Sequence, residues 1–188
     1  EDDGEVRRLT VSNKGHFSHE VEFTSFCELV LAKAASDNAH PAFSKMFVQT
    51  EYLPQCNALI ATRRQRSEHE PGIWVAHFAV VEGELTAAIQ YETSRAKFIG
   101  RGNTITTASA MAKDTSSSFH SMSNTVGCVL DPIFSLRYRL KIFPGSSVRL
   151  SFWTLVAASR SELIDLIDRH HDVSAYDRAK TFAWTQAQ

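Results

Sequence analysis

The feature that most constrains this chain is a period of two. Phe134, Leu136, Tyr138, Leu140 and Ile142 alternate with Ser135, Arg137, Arg139 and Lys141; after "PGSS" (144–147), Val148, Leu150 and Phe152 resume the apolar row. Successive side chains of a strand point to opposite faces, so such a row is a strand with one face buried. Pro144 presets φ and Gly145 accepts the left-handed region, which predicts a turn and makes the two strands a hairpin. Phe17, His19, Val21 and Phe23 alternate with Ser18, Glu20, Glu22 and Thr24 in the same way. "NKGH" (13–16) turns a strand at 6–11 into that one, with Gly15 free to take positive φ. Further strands fall at 45–51, 58–63, 73–81 and 85–92. The stretch 73–81 is apolar on both faces and belongs in the middle of a sandwich. "VEGEL" (81–85) reads as a Gly-bearing hairpin turn.

Helical periodicity enters only near the end. Ser159 and Glu162 form an S-x-x-E capping box before Leu163, Ile164, Leu166 and Ile167. Ser174 with Asp177 predicts a cap for a second helix carrying Tyr176, Ala179, Phe182 and Ala183. Many strands followed by a pair of helices make an all-β sandwich that leads into something helical, divided as residues 1–158 and 159–188. Between 103 and 124 the chain turns rich in Ser, Thr and Ala, a long loop with one short helix expected near 108–113. Loops of that length are usually functional or mobile.

Composition narrows the function classes. Lys plus Arg number 20 against 21 Asp plus Glu, a net charge of −1. That balance gives no footprint for nucleic acid. No stretch of about 18 apolar residues predicts a membrane contact by this segment. Three cysteines, Cys27, Cys56 and Cys128, favour reduced thiols in a cytosolic setting over a disulfide framework, with Cys27 and Cys128 inside apolar strand patterns. Neither C-x-x-C nor H-E-x-x-H spacing is present, so neither a metal nor another cofactor is expected. The chain starts at "EDDGEVRRL" and stops within a helical pattern, the expectation for an excerpt of a longer protein.

The residues that invite chemistry lie around "FIGRGN" (98–103). A phosphate loop needs glycines that lead into a helix N-terminus, and no G-K-[ST] follows here. The dinucleotide fingerprint fails as well, because position 105 is Ile. What remains is a strand-end turn that lifts Arg101 and Asn103, with Tyr91 and Arg95 just upstream. A planar guanidinium suits a polar or phosphorylated partner, and an aromatic ring can stack on a pyranose. The carboxylates Glu82, Glu84, Asp131, Asp165 and Asp168 have no partner arranged by spacing, and the eight histidines are scattered, so no catalytic set is visible. Trp74 and Trp153 lie on strands, where tryptophan serves the core more often than a ligand.

Four stretches together resemble the sandwich domain of cyclic β-1,2-glucan synthases: 25–52, 58–83, 91–103 and 127–162. "AHPAFSKMFVQTEY" (39–52) and "FIGRG" (98–102) are the most specific of their motifs. These proteins include modules of the cellobiose-phosphorylase type, glycoside hydrolase family 94. The resemblance implies a galactose-mutarotase-like antiparallel supersandwich with two C-terminal helices, the start of a linker to an (α/α)6 barrel. It also implies a non-catalytic module on the cytoplasmic side of an inner-membrane-associated bacterial parent, with β-1,2-glucan or another glucoside and the parent's barrel as partners. The family's acid and phosphate-binding residues belong to that barrel, so none is carried over. Tyr91, Arg95, Arg101 and Asn103 are then the expected ligand contacts. A purely structural module, or a free-standing aldose epimerase, are the alternatives. After "FIGRG" the Ser/Thr-rich run without proline departs from the family pattern.

Overall fold

The computed structural model describes residues 2–65, 67, 69–112 and 120–186. In chain order the strands are β1 (Gly4–Ser12), β2 (His19–Thr24), β3 (Cys27–Glu28), β4 (Val48–Leu53), β5 (Ala58–Arg63), β6 (Trp74–Glu82), β7 (Glu84–Leu85), β8 (Gln90–Ser94), β9 (Gly127–Cys128), β10 (Pro132–Ile142) and β11 (Ser147–Ala157). The helices are α1 (Ala34–Ala39), α2 (Pro41–Lys45), α3 (Arg95–Ile99), α4 (Arg160–His170) and α5 (Ala175–Gln186), with 3-10 turns at Ile105–Thr107 and Ser109–Met111. One antiparallel sheet runs β1-β11-β6-β5-β4-β9. The other is built on β10, which pairs with β2 and β3 along one edge and with β7 and β8 along the other.

The alternation of β10 does what its period dictates. Phe134, Leu136, Tyr138, Leu140 and Ile142 enter the core between the sheets, where Val148 and Leu150 of β11 meet them. β6 is buried on both faces: Val75 and Ala79 face that core, and Ala76, Phe78 and Val80 face a second one. The second core is closed by α4, whose Leu163, Leu166 and Ile167 are buried against β6 and β11. The six-stranded sheet is therefore the middle of three layers. Ser159 caps α4 by accepting the Glu162 N–H at 3.2 Å, and Glu162 reaches back to the Ala158 N–H at 3.2 Å. The expected box at the head of α5 is different: the Ser174 hydroxyl donates to Asp172, and Asp177 pairs with Arg8.

The chain reversals read as hairpins are arches. β10 and β11 lie in opposite sheets, as do β1 and β2, and β6 and β7. Two strands that each turn an apolar row to one core give the same pattern whether they pair side by side or face each other across it. Gly145 takes φ +72°, as its turn requires, whereas Gly15 does not use positive φ. Asn13 buckles two arches together: its amide donates to Phe17 O at 2.7 Å and Ile142 O at 3.0 Å, while its backbone pairs with Gly145 and Ser146. The strand expected at 45–51 begins at Val48, because Pro41 opens a helical turn instead. The strand expected at 85–92 is broken into β7 and β8. Cys128 is exposed on the edge strand β9, Cys56 is buried and Cys27 is half-buried, all three as free thiols. No helix among the described residues is long and apolar enough to cross a membrane.

Candidate functional site

"FIGRGN" ends a helix rather than a strand. Ser94, the last residue of β8, caps α3 by accepting the Lys97 N–H at 3.4 Å, and a single helical turn carries Phe98 and Ile99 inward. Phe98 sits 5.0 Å from Phe26, ring centroid to centroid, in a small cluster with Ala108, Ala110, Met122 and Ile133 on the outer face of the β10 sheet. Gly100 then stops the helix at φ +81°, its N–H on Ala96 O. A Cβ there would lie 2.5 Å from Ser109 Oγ, so this glycine also lets the following loop pass close by. Gly102 takes φ +77°, and Asn103 folds back to donate to Ile99 O at 3.2 Å.

The four residues singled out from the sequence occupy three environments. Arg101 and Asn103 share one exposed turn, and among the described residues the Arg101 guanidinium has no hydrogen-bond or ion-pair partner. Arg95 is tied down, with Nε 2.8 Å from Glu28 and Nη1 3.6 Å from Asp131, the carboxylate that Lys45 also holds at 2.9 Å. Tyr91 points into the sandwich, its ring stacked on Tyr52 at 4.1 Å.

The loop beyond this turn is held by polar residues that the alternation pattern did not single out. Glu92 is 2% exposed and accepts the N–H groups of Thr93, Ser94 and Ser123 and the hydroxyl of Ser123, the last at 2.6 Å. Asn124, at φ +52°, clamps Tyr91 from both sides: its Oδ1 accepts the Tyr91 N–H at 2.8 Å and its N–H donates to Tyr91 O at 3.0 Å. Arg137, 3% exposed, donates to the carbonyls of Ala110 and His120 and to Thr24 Oγ1, and lies 3.7 Å from Glu22. Burial pushes its guanidinium below the usual arginine range, with Glu22 opposing that shift. The sequence carried no signal for this pair: Arg137 and Glu22 stand in the polar rows of their strands, where solvent-facing charges are ordinary. The short helix expected near 108–113 is the 3-10 turn Ser109–Met111 as far as the described residues reach, and most of "DTSSSFHSMS" lies outside them.

The Glu92 carboxylate is saturated with donors. His77, between the sheets, bonds Ser25 and Thr154 and is pushed down to about 4, chiefly by burial. Trp153 is 3% exposed and stacks on His170, so it belongs to the core. Among the described residues no three His, Cys, Asp or Glu side chains could hold a metal.

Two antiparallel sheets joined by arches, flanked by α4 and α5, with a loop-braced turn at 98–103, describe a supersandwich. Residues 1–173 match the family described as "Glycosyl hydrolase 94, supersandwich domain", and the chain belongs to that family. It is 35% identical over 188 residues to the cyclic beta-(1,2)-glucan synthase NdvB of Rhizobium meliloti (strain 1021). That alignment takes in all of this chain and 6% of the length of the relative.

Proposed function

We propose that the chain is the non-catalytic, carbohydrate-associated sandwich of a cyclic β-1,2-glucan synthase-like protein, bracing the parent's catalytic (α/α)6 barrel and touching glucan at its 98–103 turn. The observation that carries the bracing role is the exposed apolar surface of α5. Phe182, 69% exposed, lines an open groove of about 920 Å³ with Val6, Leu155, Ala179 and Ala183, and Trp184, equally exposed, projects from another face of the helix. Apolar surface of this kind marks a face that a neighbour covers. Arg101, exposed and uncommitted, supports the glucan contact, with Asn103 beside it; Arg95 and Tyr91 then stand behind the turn as its supports. The same reading sets the module on the cytoplasmic side of an inner-membrane-associated parent.

Titration with linear β-1,2-glucan, followed by NMR, tests the contact. The backbone amides of residues 101–103 are expected to shift at millimolar glucan, and Arg101→Ala to abolish the shift. Unmoved amides would remove the glucan contact and leave a purely structural module. Measurable anomerisation of an aldose by this chain would overturn the non-catalytic reading itself.

A further inference from the structure

The turn that carries Arg101 is fixed at its start by its own elements and at its end by a residue of β10. The Ser94 cap and the Phe26–Phe98 contact hold the first turn of α3. Its end leans on the 3-10 turn Ser109–Met111. Ser109 Oγ donates to Phe98 O at 3.4 Å, and Ala108 and Ala110 are buried against Phe98 and Ile99. Gly100 passes so close to Ser109 that no side chain fits between them. The connection from Asn103 to Ser109 is short, and a capping box draws it tighter, the Thr104 N–H donating to Thr107 Oγ1 at 3.0 Å. A shift of Ser109–Met111 is therefore passed to Arg101 through packing and along the chain.

Arg137 pins that 3-10 turn to the sheet. Its guanidinium donates to Ala110 O, in the middle of the turn, and to His120 O at 2.7 Å. Nε donates to Thr24 Oγ1 at 3.1 Å, and Glu22, 3.7 Å away, holds the cation over β2 and β10. The planar group presents its donors in fixed directions, so one side chain sets the spacing of both carbonyls from the sheet. The bond to Ala110 O is buried, where an acceptor left without a donor is costly, so the turn follows the guanidinium. A lysine would bring its charge to Glu22 but could not hold two carbonyls in the same fork.

We propose that Arg137 is a positioning residue for the 98–103 turn: by fixing Ser109–Met111 on β10, it pre-forms the surface on which Arg101 and Asn103 meet glucan. At 3% exposed it lies out of a ligand's reach, and its part in binding rests on the glucan reading. With the clamp in place the turn is ordered before glucan arrives. Without it, binding has to order the turn, and affinity falls by that cost.

The test compares Arg137→Lys with the unsubstituted chain and with Ile167→Val, which trims the core under α4 on the far side of the six-stranded sheet. Two quantities are followed by NMR: backbone-amide relaxation at 100–103 without ligand, and affinity for linear β-1,2-glucan from the shifts of 101–103. Arg137→Lys is expected to raise the mobility of 100–103 and to weaken glucan binding by about three- to tenfold, whereas Ile167→Val leaves both unchanged. Amides at 100–103 that stay as rigid in Arg137→Lys as in the unsubstituted chain overturn the proposal, whether or not glucan binds. Unchanged affinity in Arg137→Lys, or equal weakening by Ile167→Val, overturns it as well. If the unsubstituted chain gives no glucan shift, the glucan reading fails, and the relaxation alone decides whether Arg137 positions the turn.

Discussion

Replacing Arg137 with leucine tests whether one buried cation holds the loop over the outer face of the β10 sheet. The substitution keeps an apolar stem on β10 but strips the donors from Ala110 O and His120 O and leaves Glu22 with Arg139 alone. A hydrogen bond from a charged group contributes ~1.5–3 kcal/mol, and three are lost, to Ala110 O, His120 O and Thr24 Oγ1. Removing one member of a buried ion pair costs ~3–5 kcal/mol, here softened because Arg139 still reaches Glu22. These terms describe one guanidinium and overlap rather than add, and leucine regains apolar packing, so the net expectation is a destabilisation of about 4 kcal/mol. Urea unfolding should show it as a lower midpoint at nearly constant slope. Amide exchange should show where it acts, with the N–H groups of Met122, Ser123 and Asn124 losing protection before those of β6 and β11. Arg137→Lys supplies a single point charge and should recover part of the loss. A leucine variant within ~1 kcal/mol of the parent, with unchanged protection at 122–124, would refute the reasoning.

His77 predicts a pH dependence. Its folded-state value of about 4 lies below the unfolded reference of 6.5, so the unfolded chain binds the extra proton between them. The stability that follows from the neutral ring is fully present above pH 6.5 and is lost as the pH falls towards 4, by roughly 3 kcal/mol. His77→Gln should flatten that part of the stability curve by about one proton; superimposable curves would contradict it. The two glycines of the 98–103 turn should separate in thermal melts. Gly100→Ala meets both a positive φ and Ser109 Oγ at 2.5 Å, and should lose about 2 kcal/mol or more. Gly102→Ala meets only the φ penalty, since nothing lies within 4 Å, and should lose about 1 kcal/mol.

What was legible in the sequence is what short-range periodicity determines. The two-faced run at β6 and the one-faced run at β10 announced a layered β protein, and Ser159 with Glu162 announced α4. Sheet membership was not legible, because Val148 meets the same core whether β11 lies beside β10 or across from it. The helical turns α2 and α3 are five residues each, too short for a 3.6-residue period to declare itself. In the candidate site, the exposed turn of Arg101 and Asn103 could be read from its glycines. The stacking of half-buried Tyr91 and the commitment of Arg95 could not, since Tyr52, Glu28 and Asp131 are distant in sequence. Glu92 and Arg137 looked like solvent-facing charges because the segment that covers them is polar and follows no pattern.

The placement of β10 also sets a timetable for synthesis. β2, β3, β7 and β8 all pair with β10 and not with one another, and β1 waits for β11, Ser12 meeting Ser147 across 135 positions. A chain emerging from the ribosome can close β4, β5 and β6 on themselves at once, since these are neighbours in both sequence and sheet. β9 can join β4 as soon as it appears, but β1, β2, β3, β7 and β8 leave the exit tunnel as open edges and stay so until residues 132–157 follow. Newly made copies therefore pass through an interval in which about half the sandwich has nothing to pair with, the state in which neighbouring nascent chains are most apt to trade strands.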